Sequence, residues 1–590
     1  MTTRSIQCVF VGVLGFLCLS RADEVQAQAP FNTHELLKDA QGKARLIIEV
    51  ESVFELLPLH GFAPVRVKVT NKREDEPEWT FRFDGLGGDH RFASEFTFKV
   101  RKNKPDIHQF MVPMPTDFNT AGFSFGRKLT YTAKADGYQV LEGEVNDSFP
   151  YDWPSIGISV SLARGNLEFL KQERHTAIAA SSHTGNGDAF GGMFEPNSLP
   201  WDWRGYSGLD ALMLTDKEWQ DLLAGQPSIC KAILDWNRLG GRLDIYTDQG
   251  LSAYALGIPE VKDGRRSLGV VNVVPWDGNS LDPLKTVASY GSARQQRSVI
   301  VDQPAQFDGL MAMFGKRAFG NWQVAVILIL FGVLVGPVNL LVLAKPGQRH
   351  RLFFTTPLIS LGASLLLVLL ILFQDGTGGA GARTVVVNIE PSDTSAYVSQ
   401  FQASRTGVLF SGAFKAPNSY ATMCAMQAGP WAAVIADGNE AMRYNLDGDV
   451  FGGDWFQSRR ELAHHLKSIR STRARIELAP QQGDAPTIVS SLGFDLKILF
   501  YTDAQGANWK APSVVETGKR VTLEKTDGRE WEPFVGTNST WVSKDALSQK
   551  NSFVALADSA PEFAIETHKG IRWQDHVIVI GPVIGAEQNE

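Results

Sequence analysis

The sequence predicts a multidomain membrane protein with an N-terminal immunoglobulin-like β-sandwich, an α/β domain, a two-helix transmembrane hairpin and a β-rich C-terminal domain. Three observations predict this fold class. Apolar and polar residues alternate in short runs before residue 150, which is typical of half-buried strands. Strand-like and helix-like segments then alternate up to about residue 315. Finally, two long apolar stretches without a charged residue follow each other closely.

The first residues have the pattern of a secretory signal. Arg4 precedes an apolar stretch from Ile6 to Leu19, and small residues suited to cleavage follow. We therefore expect residues 1–27 to be a signal peptide and the next domain to be exported. Only Cys230 and Cys424 remain after its removal, which excludes a disulfide framework and leaves a single bridge between them open.

Length and composition limit the number of domains and the classes of partner that are expected. The chain has 590 residues, of which 21% are charged and 10% aromatic, and its formal net charge is −7. This length predicts several domains stabilised by apolar cores. The acidic balance disfavours a nucleic-acid partner.

The region 28–150 is predicted to be the β-sandwich. Val65, Val67 and Val69 alternate with polar residues, so their side chains share one face of a strand. Similar runs recur at short spacing between clusters of Gly, Pro, Asn and Asp, as in immunoglobulin-like domains. No metal-ligand or nucleophile pattern occurs here, so packing or adhesion is the expected role.

The region 151–315 is predicted to be an α/β domain. Apolar residues at helical spacing predict a helix over Pro227–Leu239, and Gly240 and Gly241 end it. The strand Arg242–Thr247 follows. This alternation predicts a parallel sheet covered by helices.

Two runs in this region carry a family resemblance. Tyr206–Asp216 (YSGLDALMLTD) and Ile233–Leu243 (ILDWNRLGGRL) resemble the class I glutamine amidotransferase-like domain of uncharacterised bacterial membrane proteins. Gly336-Pro-Val-Asn339 and Thr356-Pro-Leu358 are similar to the paired apolar segments of the same group. The resemblance implies architecture and an extracytoplasmic position for the domain; it implies no particular activity.

The sequence departs from true amidotransferases at the nucleophile. Those enzymes hold a cysteine on a tight strand-to-helix elbow between glycines. Here Cys230 lies inside the predicted helix without flanking glycines, so we interpret it as structural. Glutamine hydrolysis is therefore not expected, and the protein is predicted not to be an enzyme.

The two apolar stretches, 322–344 and 352–373, are predicted to be transmembrane helices. The link 345–351 carries Lys345, Arg349 and Arg351 without an acidic residue, as expected of a cytoplasmic loop. This topology predicts a protein of the bacterial cytoplasmic (inner) membrane. Its large N- and C-terminal domains would then lie on the extracytoplasmic side.

Four residues of the first stretch predict how these helices pack. Gly332 and Gly336 form a small-xxx-small step that permits close helix packing, either within the hairpin or on a partner. Pro337 predicts a kink. Asn339 carries an amide that needs a hydrogen-bond partner in an apolar environment.

After the second stretch, residues 374–383 are predicted to be a flexible linker. The glycines from Gly376 to Gly381 match the spacing of a dinucleotide-binding loop, but the required strand before and helix after are missing. The region 384–590 is predicted to be a β-rich extracytoplasmic domain with one helix near Arg459–Ile469. His464 and His465 are expected on the surface of that helix.

The best candidate ligand loop contains His183, Asn186 and Asp188. It follows a predicted strand, and open α/β sheets bind ligands at the carboxyl ends of their strands. The same composition is typical of a surface loop, which is the favoured interpretation. No second histidine lies at ligand spacing, so no metal or other cofactor is predicted.

Trp153, Trp201, Trp203 and Tyr206 form a candidate aromatic interface near prolines. Exposed rings of this kind can bind sugars or a partner's side chains. The alternative is that the rings close a domain edge.

These observations predict a membrane-anchored extracytoplasmic scaffold or partner-binding protein of the cell envelope. The expected partners are the lipid bilayer and another envelope or membrane protein. The alternative function is an envelope hydrolase or carbohydrate-binding enzyme that uses the loop from His183 to Asp188. A transporter is disfavoured, because one hairpin supplies too few helices and no repeated halves occur.

Overall fold

The computed structural model describes residues 32–38, 41–58, 60–87, 90–114, 116–117, 128–147, 155–164, 166, 192–258, 264–278, 304–313, 321–343, 347, 349–375, 378–425, 441–480, 485–526 and 528–585. The predicted signal peptide lies outside these residues.

The N-terminal region forms a β-sandwich, as the alternating pattern predicts. Strands β1–β3 and β6 form one antiparallel sheet, and β9, β8, β4 and β5 lie in a second sheet in that order. Their side chains meet in an aromatic core that includes Trp79, Phe81, Phe83 and Tyr131. The strands are β1 (Asn32–Lys38), β2 (Ala44–Ser52), β3 (Gly61–Asn71), β4 (Glu78–Gly87), β5 (His90–Lys99), β6 (Pro105–Met114), β7 (Thr116–Asp117), β8 (Lys128–Lys134) and β9 (Leu141–Asp147).

The α/β domain, which we define as the described residues from 155 to 278, contains a mainly parallel sheet. Its strand order is β11-β10-β12-β13-β15-β14, and only β14 runs antiparallel to its neighbour. Its elements are β10 (Ile156–Ser159), α1 (Val160–Arg164), β11 (Gly192–Phe194), β12 (Ala211–Thr215), α2 (Asp216–Gly225), α3 (Pro227–Arg238), β13 (Arg242–Thr247), β14 (Arg265–Arg266) and β15 (Gly269–Pro275). Two 3₁₀ segments, Pro196–Ser198 and Trp203–Tyr206, lie between β11 and β12.

Helix α3 forms where the apolar spacing predicts it. Pro227 opens the helix, and the buried side chains of Ile229, Ile233 and Trp236 belong to the main apolar core. At its end the backbone of Gly240 has a φ of 109°, which a residue with a side chain rarely adopts. A Cβ on Gly241 would lie 2.3 Å from the Trp236 ring, so this position also requires glycine.

The helical pair, which we define as the described helices between residues 321 and 375, replaces the predicted transmembrane hairpin. It consists of α5 (Asn321–Val333), a π-helical segment (Leu334–Leu343) and α6 (Leu352–Asp375). In the part of the chain that the structure describes, no helix is long and apolar enough to cross a membrane. The predicted fold class with its membrane hairpin, and the predicted inner-membrane localisation, are therefore wrong.

A change of helix type limits the first helix of the pair. Helix α5 has 13 residues and rises only ~20 Å before it becomes π-helical around Pro337. In α6, Pro357 lies inside the helix, where it removes one backbone hydrogen bond. The α-helical part of α5 is thus shorter than the ~30 Å of a hydrocarbon core.

The C-terminal region is β-rich, as predicted. Within the described residues, its strands build most of a 13-stranded sheet, here called the large sheet, with β30-β16-β17-β22-β19 at its centre. Helix α4 (Pro304–Met313) packs on one face of this sheet through Leu310. The other elements are β16 (Gly379–Glu390), β17 (Ser395–Thr406), β18 (Phe414–Lys415), β19 (Ser419–Ala425), β20 (Met442–Asp447), β21 (Val450–Gly453), β22 (Glu461–Ser471), β23 (Ile476–Leu478), β24 (Thr487–Ser490), β25 (Ile498–Thr502), β26 (Asn508–Lys510), β27 (Arg520–Thr522), β28 (Glu524–Lys525), α7 (Gly528–Asn538), α8 (Lys544–Leu547), β29 (Ser552–Ala557) and β30 (Ile571–Ile584).

The N- and C-terminal regions share their sheets. Strand β20 pairs in parallel with β5 of the sandwich, and β7 pairs in parallel with β19 of the large sheet. The buried Ser94 hydroxyl donates to the Tyr444 carbonyl at 2.6 Å, and the Glu95 amide donates to Asn445 Oδ1 at 2.9 Å. The two predicted β domains are thus continuous in the folded chain.

Two local predictions for the C-terminal region are wrong. Gly379–Arg383, predicted as flexible linker, forms the start of β16, where a Cβ on Gly379 would lie 2.4 Å from the Arg405 carbonyl oxygen. The predicted helix near Arg459–Ile469 is strand β22, held between β17 and β19. His464 and His465 are consequently buried rather than on a helix surface.

Candidate functional site

The strand order of the α/β domain defines one crevice. The chain passes from β10 to β11 on one side of the sheet and from β12 to β13 on the other. Ligands of open α/β sheets bind where the order reverses, outside the carboxyl ends of the strands. The carboxyl edge between β10 and β12 is therefore the candidate functional site.

Polar side chains at this edge are already engaged with one another. Thr215 caps α2, because its hydroxyl accepts from the Glu218 amide at 3.2 Å and its own amide donates to Glu218 Oε2 at 2.9 Å. Asp216 Oδ2 accepts a 2.6 Å hydrogen bond from the Thr247 hydroxyl at the end of β13. These contacts tie the ends of two neighbouring strands together.

The chemistry of this edge is that of hydrogen-bond acceptors. The carboxylates of Asp216 and Glu218 sit in the first turn of α2 and satisfy its positive end. A phosphate or another anion would meet these carboxylates, so the edge suits ligands that carry hydroxyl or amino groups. Among the described residues, no group of three or more His, Cys, Asp or Glu side chains could hold a metal ion.

The predicted ligand loop belongs to the connection between β10 and β11. The chain leaves the carboxyl end of β10 through α1 and returns at β11. His183, Asn186 and Asp188 lie in that connection, outside the described residues. Their role stays a prediction.

The predicted aromatic interface is not an exposed platform. Trp203 and Tyr206 are buried, and only Trp201, at 53%, is largely exposed. Tyr206 donates from its hydroxyl to the Pro200 carbonyl at 2.7 Å, and Trp203 Nε1 donates to Asn418 Oδ1 at 3.2 Å. Trp203 and Tyr206 therefore close a domain edge, and Trp153 lies outside the described residues.

Cys230 has the environment of a structural cysteine. It is a free, buried thiol in α3. Burial raises the pKa of this thiol to about 11, so the nucleophilic thiolate is scarce at neutral pH.

A buried polar group in the same sheet was not predicted. Arg242 Nε donates to both carboxylate oxygens of Asp244, at 2.9 and 3.0 Å, and Asn272 Nδ2 donates to Asp244 Oδ1 at 2.7 Å. Burial raises the pKa of Asp244, while Arg242 and Asn272 oppose this shift. In the sequence, this group could have been predicted from Arg242 and Asp244, an opposite-charge pair at positions i and i+2. Side chains with this spacing share one face of a strand.

The helical pair brings Asn339 to Thr356 and leaves the two glycines open. Asn339 is buried, and its Nδ2 donates to Thr356 Oγ1 on α6 at 2.8 Å. A Cβ built on Gly332 or Gly336 meets nothing within 4 Å, so these glycines do not bring the two helices of the pair together, and packing on a partner stays a prediction. The helices thus meet through the amide beyond Pro337.

No family model matches the chain, and no curated protein matches it. Among solved structures, red sea bream transglutaminase is 11% identical over 20% of this chain and 19% of its own length, with a TM-score of 0.12. The yeast delta-COP-I mu-homology domain complexed with the Dsl1 WxWxV peptide is 9% identical over 35% of this chain and 96% of its own, with a TM-score of 0.16. A calcium binding mutant of Bacteroides uniformis beta-glucuronidase 2 is 8% identical over 83% of this chain and 62% of its own, with a TM-score of 0.16. Likenesses this weak transfer neither a fold nor a function.

Proposed function

We propose that this protein is a non-enzymatic scaffold that binds a partner protein through the helical pair. The observation that carries the proposal is a dense set of exposed apolar side chains on these helices. Phe353 is 82% exposed, Phe354 79% and Leu341 71%. Further exposed apolar residues on the same pair are Leu328, Ile329, Leu330, Val342, Leu358, Leu361 and Leu365.

The density of this surface favours a binding role. Scattered apolar residues are normal on a protein surface, whereas contiguous apolar patches mark interaction sites. The Asn339–Thr356 hydrogen bond links the two helices and leaves their outer apolar faces free for contact. An apolar face of a partner's helices is the chemistry that complements this surface.

We further propose that the α/β domain has an amidotransferase-like architecture that serves binding. The parallel sheet covered by α2 and α3 supports this assignment, and so does the capped, acidic carboxyl edge. The high pKa of the Cys230 thiol argues against a nucleophilic role for it.

Substituting two exposed leucines of the helical pair should weaken partner binding. For Leu341→Ser together with Leu361→Ser, we expect at least about tenfold less co-purified partner, because each buried leucine contributes about 1.5–3 kcal/mol. The measurement is quantitative cross-linking of the full chain in cells, followed by denaturing purification.

Leu223→Ser and Val514→Ser provide the matched control, since both side chains are exposed apolar residues outside the pair. These control substitutions should leave the amount of cross-linked partner unchanged. Equal loss in both variants would contradict the proposal. So would a helical pair that binds phospholipid vesicles while capturing no protein.

The crevice supports a second candidate function, the binding or hydrolysis of a hydroxylated ligand such as a carbohydrate. Its specific observation is the reversal of strand order between β10 and β12.

Under this second function, the full chain with His183→Ala and Asp188→Ala should be present at the wild-type level. It should nevertheless fail to restore the phenotype of cells that lack the protein. Under the scaffold proposal, these loop substitutions should be silent and Leu341→Ser with Leu361→Ser should remove the phenotype. Comparing both double variants for protein level and phenotype separates the two functions. A phenotype lost only with the loop substitutions favours the crevice.

A further inference from the structure

The end of helix α3 rests on the large sheet through two cations that cross the junction in opposite directions. Lys467 of β22 donates from Nζ to the carbonyl oxygen of Leu239, just past the last residue of α3, at 2.8 Å. Arg238 of α3 reaches the other way, donating from Nη1 to the Tyr397 hydroxyl of β17 at 2.7 Å. Helix α3 and the large sheet thus each supply one cation, and each accepts a hydrogen bond from the cation of the other.

The Arg238 side of the junction is a connected chain of polar contacts. Its guanidinium forms an ion pair with Asp393 and lies over the Tyr397 ring, 5.5 Å from the centroid. The Tyr397 hydroxyl in turn donates to Asp393 Oδ2 at 2.6 Å. Arg238 and Tyr397 are both buried, so these contacts are little screened by solvent.

The Lys467 side uses the negative end of a helix. The last carbonyl groups of α3 lack partners within the helix, and a cation there is favourable. Burial lowers the pKa of Lys467 to about 8, and Asp210 opposes that shift, so the ammonium persists at neutral pH. A close turn lies beside it, where a Cβ on Gly269 would come 1.9 Å from the Asn237 carbonyl oxygen.

One further hydrogen bond and one apolar contact complete the junction. Asn388 of β16 donates to the Ser267 hydroxyl in the turn before β15. Leu268 of the same turn packs with Val386 and Ile580 of the large sheet. All these contacts lie at the amino edge of the parallel sheet, opposite the candidate ligand edge.

We propose that Arg238 and Lys467 form a reciprocal latch that docks the α/β domain on the large sheet, and that removing the Lys467 contact loosens this junction without unfolding either part. The latch is independent of the proposed partner binding, since the helical pair supplies none of its residues.

Hydrogen exchange of the full chain tests the latch. In Lys467→Met, amide exchange in residues 228–241 should rise at least about tenfold, while residues 577–580 in the core of the large sheet should keep the wild-type rate. Lys519→Met, which removes a largely exposed lysine of the same region, should change neither segment.

Tyr397→Phe removes only the hydroxyl that accepts from Arg238, and it should raise exchange in residues 228–241 in the same direction. If Lys467→Met fails to fold, the Tyr397→Phe variant still tests the latch. Wild-type exchange in 228–241 in both variants would overturn the latch. Equal acceleration in 228–241 and 577–580 would also overturn it, because that result reports global destabilisation.

Discussion

Arg383→Met should lower the free energy of unfolding by about 3–5 kcal/mol, because it leaves a carboxylate in the protein interior without its cation. Arg383 Nε donates to Asp575 Oδ1 at 2.6 Å and Nη2 donates to Asp575 Oδ2 at 3.1 Å, which makes a bidentate pair. The Arg383 side chain is 7% exposed and that of Asp575 is 13%. The pair joins β16 to β30 at the centre of the large sheet.

Two companion variants separate this pair from its surface neighbour. Glu566 also accepts from Arg383, at 3.0 Å, but its side chain is 71% exposed, so Glu566→Gln should cost no more than about 1 kcal/mol. Arg383→Met combined with Asp575→Leu should recover part of the loss, since it removes both buried charges. Urea unfolding at neutral pH measures all three. An Arg383→Met loss as small as that of Glu566→Gln would show that the pair is not buried as described.

Acid should destabilise the fold through His464 over the range from about pH 6.5 to about pH 4. His464 donates from Nε2 to the Trp455 carbonyl at 2.8 Å, and burial lowers its pKa to about 4. Its folded-state pKa thus lies below the unfolded value of 6.5, so the native state resists protonation. The contribution of neutral His464 to the free energy of unfolding is fully present above about pH 6.5. It falls by about 3 kcal/mol as the pH drops to about 4. Burial lowers the pKa of His465 in the same direction.

His464→Gln isolates this effect, because glutamine does not titrate in that range. Urea unfolding at pH 7 and pH 4.5 should give a smaller pH-dependent loss for His464→Gln than for the wild type, by about 2 kcal/mol. His568→Gln is the matched control, as its imidazole lies on an exposed contact with the Ser411 carbonyl. An equal pH-dependent loss in wild type and His464→Gln would contradict the assignment.

The sequence predicted elements whose periodicity matches one buried face. Val65, Val67 and Val69 alternate with polar residues and are all buried in β3, and the spacing of Ile229, Ile233 and Trp236 identified α3. In both cases the residues that repeat along the sequence are also the ones buried in the fold. The spacing of the apolar residues is therefore enough to identify the strand or the helix.

Prediction failed where distant partners decide the structure. Residues 459–469 also fit a helical spacing, but β22 pairs with β17 and β19, and this pairing overrides local preference. The pairing of β20 with β5 joins the sandwich to the C-terminal region, which lie far apart in the sequence. No short-range sequence pattern predicts such a pairing. Apolarity alone likewise identified the helices of the pair but not the π-helical segment Leu334–Leu343.

The candidate sites were predicted less well than the fold. Large rings near prolines fit an interface and a core equally, and Trp203 and Tyr206 belong to the core. The sequence marked Asn339 as an amide that needs a partner, but Thr356 as that partner follows only from the contact between the helices.

Site-specific photocrosslinking can show whether the helical pair binds another protein. A benzophenone side chain at Phe353 in the full chain should form a discrete protein adduct in cells, whereas the same group at Phe410, which is 92% exposed outside the pair, should form none. Equal adducts from both positions, or no protein adduct from position 353, would contradict the claim.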